Sequence, residues 1–494
     1  MALSSMDALL ARIWRRYLTP QGGVPEDATY EEMNLGPGDH ITPAVRRAGF
    51  QALVNYCYAN GYSLVIPDVP GETYDIDDSI SVRECPGLTV HQLGHMLNVS
   101  EDSTQGGLKQ VIWKLGNQHP SDWDTDSGPL TFLACGTTVV GSKQVTISSG
   151  TLENDSTGKI VGGLAIIRSV ASWSTDYNDP YYLRISRVTA YDAGSGLVTL
   201  EDEFDQAHAC VISMGGNATA EDPQGEPLFI ADSISIIGSG SLETAGHVFQ
   251  RTAAYNCMIK LASVRNKSVF FGNAYVRSHV EFEKSGTATY KAVDIAGNSS
   301  FTDFITPHIF YEGAGVDGLN AVVMNERAYG CTLRVGTFTA LNFTAAAGLI
   351  NFNTCDSCSM DFDLIDAPKV TTWPIRFTNA VTDGDNQATL HGNSLRVGRG
   401  KFGSFTGYYI NVDNSGGENK RQHIDVRLEG TPSIAAVRIG GDGHMISPSS
   451  QFQSGALLIE ATGEYHPTNL VADGISFPGG ITGSTAGQRI RTFA

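Results

Sequence analysis

The sequence predicts an all-β chain whose main body is a parallel β-helix, a solenoid of short coils, with a small β domain inserted and short helices near the N-terminus. Three observations carry this. Short apolar strands recur along residues 232–460 in two interleaved series, successive members about 20 to 36 residues apart and mostly near 28. Glycine supplies 55 of the 494 residues and only 17% are charged, a composition suited to many turns and unsuited to a helical bundle. Hydrophobic residues make up 41%, enough for a large core and too many for disorder.

Residues 1–17 read as a short amphipathic helix, with Met6, Leu9, Leu10, Ile13, Trp14 and Tyr17 at helical spacing and arginines opposite. A Pro/Gly-rich link follows (Pro20, Gly22, Gly23, Pro25, Gly36-Pro37-Gly38). A second helix starts at the N-cap Thr42 with Pro43 in its first turn and closes at Gly61. Strand-like alternation then begins: SLVIP (63–67), YDIDDSISV (74–82) and LTVHQL (88–93).

Residues 137–213 read as a separate small barrel or sandwich. Its strands are QVTIS (144–148), GGLAIIRS (162–169), YYLRISRVTAY (181–191) and GLVTLED (196–202). In the main body, the first series is CTLRV (331–335), CSMDFDL (358–364), SLRV (394–397) and HIDVRL (423–428). The second is AVVM (321–324), LINF (349–352), PIRFT (374–378), YYINV (408–412), AVRI (436–439) and ALLI (456–459). Period-two alternation points Cys331, Leu333, Val335, Met360, Phe362, Leu364, Leu395, Val397, Ile424, Val426 and Leu428 inward. Asn298, Asn325, Asn353, Asn386 and Asn419 fall at coil corners, where a left-handed backbone is expected. The resulting divisions are 1–41, 42–136, 137–213, 214–460 and 461–494.

The net charge of −19 argues against a nucleic-acid or anionic-membrane partner. No apolar stretch approaches the roughly 18 residues of a membrane helix. The opening residues, broken by Asp7, Arg12, Arg15 and Arg16, lack the pattern of a secretory signal, which weighs against an exported bacterial enzyme. The eight cysteines are scattered, and Cys355-Asp356-Ser357-Cys358 has no second pair to complete a zinc site, so they read as reduced, mostly buried thiols. Asp122–Asp126 starts like a calcium loop, but its glycine comes one place late and Leu133 stands where a Glu is needed. GTTVVGSK (136–143) has the wrong order for a phosphate loop, and neither GxSxG nor HExxH occurs. No metal or cofactor is expected.

The segment ANGYSLVIPDVPGETYDIDDSISV (59–82), following a helix, resembles the entry to the pectate-lyase-like β-helix of bacteriophage tailspikes. The unit holding GGLAIIRS and YYLRISRVTAYDAGSGLVTLEDEF resembles the small β domain often inserted in that family. The resemblance covers roughly residues 42–460. It implies a right-handed β-helix, a homotrimer, attachment to virion tail or portal proteins through the N-terminus, and binding and depolymerisation of host surface polysaccharide. It implies a place in the virion tail, extracellular after host lysis. The N-terminal 40 residues are short for a particle-binding domain, and the tail after 460 is short for a large trimerisation domain. The N-terminal helix either packs on the β-helix or docks onto the virion.

Glycoside cleavage needs two carboxyl groups, one acid and one base or nucleophile. Alternation turns Asp361 and Asp363 outward beside inward Phe362, and Glu326 follows an Asn turn on an adjacent coil; these three are the candidate catalytic cluster. The same alternation turns Arg334 and Arg396 outward one coil before and one after, with Asp425, Arg427 and Glu429 a coil later. Stacked in register they would form a self-neutralising Arg–Asp–Arg ladder, which opposes acid catalysis. The outward acids Asp294, Asp383 and Asp385 stay open as alternatives. A lyase would need a base and a cation beside a uronate, for which Arg334, Arg396 and His423 are available. For sugar binding, Tyr409 and Asn411 read as outward, with Arg376 and Arg438 on flanking coils and Trp373 at a turn. Three readings follow: a catalytic tailspike, a receptor-binding or structural spike without catalysis, and a free bacterial polysaccharide lyase or hydrolase.

Overall fold

The computed structural model describes residues 41–100, 111–115, 132–155, 158–169, 183–204, 207, 209–214, 230–244, 253–265, 274–286, 292–295, 299–315, 320–324, 328–346, 348–353, 355–378, 389–412, 418–440, 444–459 and 477–483. The expected helix at 1–17, the calcium-like Asp122–Asp126, and Asn298, Asn325, Glu326, Asp383, Asp385 and Asn386 lie outside these residues. The chain divides into two compact units, residues 1–261 with 272–278, and residues 262–271 with 279–494. No helix among the described residues is long and apolar enough to cross a membrane.

In the first unit, Pro43–Asn60 forms helix α1. Thr42 accepts from the Val45 N–H at 3.4 Å, and Pro43 occupies the first turn, where its missing N–H has no partner to lose. Gly61 closes the helix at φ 69°, and the Tyr62 N–H returns to the Cys57 carbonyl at 2.8 Å. The buried face, Phe50, Leu53, Val54 and Cys57, covers the end of the stack, with the Phe50 and Tyr74 rings 5.8 Å apart. Arg46 is 1% exposed and donates to the Asp75 carbonyl at 2.8 Å.

The strands of this unit pair in parallel, Leu64 with Val90, Val90 with Ile236, and Ile236 with Ile259. Thr89–Gln92 therefore lies directly against Ser235–Ile237, and the chain between them leaves the stack and re-enters it. That excursion contains a six-stranded antiparallel sheet in the order Leu133–Thr137, Ala209–Met214, Leu164–Ser169, Leu183–Asp192, Leu197–Leu200, Gln144–Thr146. A bridge from Cys135 to Ile147, with the Ser148 N–H on the Ala134 carbonyl at 2.7 Å, joins the last strand to the first and closes a barrel. Val145, Ala165, Ile167, Val188, Val198, Phe204 and Ile212 fill it.

The run Leu164-Ala165-Ile166-Ile167 is apolar throughout because both faces of its strand are covered. Ala165 and Ile167 face the barrel interior, while Leu164 and Ile166 pack with Ile185 against Ile230, Tyr255 and Val276 of the solenoid. Around this seam Arg187 holds Asp232 through both carboxylate oxygens at 2.7 and 3.1 Å and lies over the Tyr255 ring. Tyr255 donates to Glu201 at 2.8 Å, and Arg277 reaches both Glu201 and Asp202. Burial, reinforced by the bond to Glu201, pushes the Tyr255 phenol well above its ordinary range.

The second unit is the solenoid proper. Its main sheet stacks His279–Gly286, Asp303–Tyr311, Thr332–Thr339, Ser359–Ala367, Ser394–Phe405 and His423–Pro432 in parallel. A second parallel sheet stacks Val293–Ile295, Val322–Met324, Ile350–Asn353, Ile375–Thr378, Tyr408–Val412, Ala435–Ile439, Leu457–Ile459 and Ile481–Gly483. Both sequence series thus form ladders, and the fold is an all-β parallel β-helix. Neighbours across one coil are 27 residues apart at Thr332 and Ser359 and 35 apart at Asp361 and Arg396.

Nine of the described parallel strands are each entered through one left-handed residue two positions before the strand: Gly87, Ser233, Asn256, Arg277, Phe301, Gly330, Ser357, Gly392 and Arg421. This corrects the expectation of an asparagine corner: Asn353 and Asn419 lie in strands, and Asn256 is the one asparagine with positive φ among the described residues. At six of these nine corners the residue that follows donates from its side chain to a carbonyl two residues back. Ser278 does so at 3.0 Å, Thr302 at 3.0 Å, Cys331 at 3.6 Å, Cys358 at 3.3 Å and Gln422 at 2.9 Å. Cys257 belongs to the same set, at 3.4 Å from the Tyr255 carbonyl.

The main sheet kinks midway. Its ladder skips Pro307, Gly336, Asp363 and Gly398. A Cβ on Gly336 would stand 2.5 Å from the Pro307 carbonyl oxygen, and one on Gly398 2.7 Å from that of Asp363. The kink shifts the parity of everything after it. Leu364, expected inside, is half-buried, and Ile365 takes the interior position at 0% exposure.

Candidate functional site

The outward face of the main sheet before the kink carries Arg334, Asp361, Arg396 and Asp425 in strict register, each beside the next across the ladder. The inward neighbours Leu333, Val335, Met360, Phe362, Leu395 and Val397 are buried and hold the backbone so that these four project to solvent. Arg396 Nη1 lies 2.6 Å from Asp361 Oδ1 and 3.5 Å from Asp363 Oδ1. The bond to Asp361 raises the Arg396 pKa above its ordinary value. Asp361 and Asp363 therefore serve as acceptors for one permanently charged guanidinium. Asp425 accepts from Ser449 at 2.5 Å. Arg334 is exposed and makes no ion pair among the described residues.

After the kink, Arg399 binds Glu429 through two bonds of 2.8 and 3.2 Å, which holds the Glu429 carboxyl below its usual range. Arg427 is exposed two positions after Asp425, and His423 is half-buried two positions before it on the same face.

The aromatic and amide candidates lie elsewhere, on the second sheet. Arg376, Asn411 and Arg438 stack there in register, and Arg438 donates to Asn411 at 3.3 Å. The Arg376 guanidinium sits 4.7 Å from the Trp373 ring and that of Arg438 5.8 Å from the Tyr408 ring. Two expectations are corrected here. Tyr409 is 0% exposed, packed among Phe402, Phe405 and Phe452, with its hydroxyl on the Gly430 carbonyl at 2.5 Å. Asn411 is 1% exposed, its amide engaged by Arg438. Alternation places Tyr409 outward, but four successive residues of this strand, Tyr409–Val412, are buried, and the Tyr409 ring packs among the three phenylalanines. The expected site residues thus form two groups on two sheets, Arg334–Asp361–Asp363–Arg396 and Trp373–Arg376.

A further set escaped the sequence reading. In His279–Gly286, outward His279, Glu281 and Glu283 alternate with buried Val280 and Phe282. His279 Nε2 lies 3.1 Å from Glu281 Oε2, and His308 Nδ1 on the next coil lies 4.0 Å from Glu283 Oε1. His308 also bonds Thr339 at 3.2 Å, beside the exposed ring of Phe310. The signal was present in the alternation HVEFE, which lay outside the two strand series. A histidine can give or take a proton near neutral pH where a guanidinium cannot. Among the described residues no three His, Cys, Asp or Glu side chains converge as metal ligands would.

No protein-family model matches the sequence, and no curated protein matches it. Solved structures do match. Phage tailspikes are among the solved structures similar to this chain. One is the tailspike protein gp49 from Pseudomonas phage LKA1, 13% identical, with a TM-score of 0.41 over 95% of this chain and 80% of that one. The Pseudomonas phage phi297 tailspike gp61 is 10% identical, with a TM-score of 0.34 over 94% of this chain and 79% of that one. The Gp54 tailspike of Acinetobacter baumannii bacteriophage AP22, solved with A. baumannii capsular saccharide, is 11% identical, with a TM-score of 0.35 over 94% of this chain and 78% of that one.

Proposed function

We propose that this chain is a virion tailspike, a homotrimer attached to the phage tail through residues 1–41, that binds host surface polysaccharide and cleaves it. The row Arg334–Asp361–Arg396–Asp425 carries the binding half of this reading. Donors and acceptors alternate there at the strand spacing of about 4.8 Å, along the direction in which coils stack. An extended polymer of hydroxyls and carboxylates needs a surface of that kind, long and held rigid by a ladder. The tailspike resemblance of segments 59–82 and 162–204 supplies the partner class.

For cleavage two carboxylate sets are available. Asp361 and Asp363, the pair expected to act with Glu326, are bridged to one another by Arg396 and suit binding. Glu281 and Glu283 lie beside histidines, a side chain that can exchange a proton where the guanidinium of Arg396 cannot. A second reading, binding without cleavage, is favoured by the bridging position of Arg396.

The test is incubation of the purified protein with the surface polysaccharide of the phage host, with binding measured alongside. New reducing ends identify a hydrolase, and the ultraviolet absorbance of an unsaturated uronate identifies a lyase. Glu281→Gln and Glu283→Gln are expected to stop cleavage and spare binding, while Asp361→Asn and Asp363→Asn weaken binding. Binding with no product selects the second reading, and no binding overturns both. Absence of the chain from purified virions would favour a free enzyme.

A further inference from the structure

Cys135 and Cys210 sit at the seam where the inserted barrel closes. Leu133–Thr137 pairs antiparallel with Ala209–Met214, and the register shifts between Ala209 and Val211, so that Cys210 stands opposite Cys135 and Gly136. Opposed residues on such strands have Cα atoms about 4.5 to 5.5 Å apart, inside the window a disulfide spans. Both side chains turn to the barrel interior, Cys210 fully buried and Cys135 partly open to solvent. Cys210 Sγ lies 3.3 Å from the Gly136 carbonyl oxygen and Cys135 Sγ 3.5 Å from that of Leu133.

The strand carrying Cys135 is also the closing strand. On its other side the described contacts are the bridge to Ile147 and the bond from the Ser148 N–H to the Ala134 carbonyl at 2.7 Å. A covalent link here would lock the barrel shut.

We propose that Cys135 and Cys210 are an oxidisable dithiol, converted to an intramolecular disulfide by a small disulfide oxidant such as oxidised glutathione. Cys135, the accessible thiol, gives up its proton and attacks one sulfur of the oxidant. A mixed disulfide forms, and the first glutathione leaves and takes up the proton. Cys210 then attacks the Cys135 sulfur, forming the protein disulfide and releasing the second glutathione, which takes the Cys210 proton. Two protein thiols are oxidised by two electrons, and one glutathione disulfide is reduced to two thiols. The remaining cysteines are buried: Cys331, Cys355 and Cys358 are each 1% exposed, Cys57 0%, and Cys85 and Cys257 3%. They lack the access this exchange needs.

The test treats the full chain, reduced and folded, with oxidised glutathione, then counts thiols after denaturation and maps disulfide-linked peptides by mass spectrometry. The expected result is the loss of two of the eight thiols. The intact mass should fall by ~2 Da and one linked peptide pair should contain Cys135 and Cys210. The oxidised protein should be cut more slowly by protease within residues 133–214 than the reduced protein. Cys135→Ser should retain all its remaining thiols under the same treatment. Retention of all eight thiols by the native chain overturns the proposal. So does a link between other cysteines, or accumulation of a glutathione adduct on Cys135 that Cys210 does not resolve. The wild-type thiol count and peptide map decide the matter even where a serine variant folds poorly.

Discussion

Arg396 lies one coil above Asp361 and bridges it to Asp363, at 2.6 and 3.5 Å from the two carboxylates. One cation thus gathers the two acids that alternation had marked as a catalytic pair, on a face where Arg334 and Asp425 continue the alternation of charge. The group is more than a third exposed, so water and salt screen it. Its importance lies in which surface it presents, and little of the fold's stability rests on it.

Arg396→Ala is therefore expected to change stability by less than about 1 kcal/mol, as exposed ion pairs do. Polysaccharide binding by the same variant should fall, and fall most at low salt. Parallel thermal denaturation and binding measurements check this. A large loss of stability would show that the ladder is structural.

Gly336→Ala should be costly although the residue is only half-buried. Its Cβ would sit 2.5 Å from the Pro307 carbonyl oxygen, a backbone atom that cannot swing away. A destabilisation of about 1 to 3 kcal/mol is expected, the range of an overpacked site. Urea unfolding of the two proteins gives the difference directly.

Arg187→Ala should loosen the barrel from the solenoid. It takes two bonds of 2.7 and 3.1 Å from Asp232, three-quarters buried, leaving the one from the Ser233 hydroxyl at 2.8 Å, and removes the cation over Tyr255. The expected cost is about 2 kcal/mol, since charged hydrogen bonds are lost and a carboxylate stays behind. Hydrogen exchange should show it first in the strand Leu183–Asp192.

Burial pushes the Cys57 thiol in α1 up to about 11 from an ordinary 9.0. The folded chain thus holds this proton more tightly than the unfolded chain does. The stability this contributes is full below pH 9 and is lost as pH rises towards 11. Cys57→Ala should flatten the alkaline limb of a stability–pH profile over that window, beyond its constant packing cost. Equal slopes in wild type and variant would refute the assignment.

The corner positions make a prediction of their own. Ser278, Thr302 and Cys331 do the same work in successive coils. Cys331→Thr should therefore cost less than Cys331→Val, which has the size but no donor for the Tyr329 carbonyl, by about 1 kcal/mol. Thermal denaturation of the two variants decides it.

Much of the solenoid was legible from residue order. Strand positions such as 331–335, 394–397 and 423–428 follow from pleat alternation, a local property of the backbone. The cap of α1 at Thr42 and its stop at Gly61 follow from the φ values and donors that those residue types supply. The Arg–Asp–Arg ladder was legible as a conditional, because alternation says which side chains point out and leaves open which coil lies beside which.

By itself, the sequence determined the period, the core-facing residues before each kink, and the strand at 162–169. Only the tertiary structure decided that Arg396 pairs with Asp361 and Asp363, that Ile365 replaces Leu364 inside, that Tyr409 turns inward, and that Glu281 and Glu283 meet histidines. The reason is physical. Coils of 27 to 35 residues stack through hydrogen bonds between strands, and the register depends on loop lengths that local propensity does not encode. A one-residue kink then reverses the facing of every side chain beyond it.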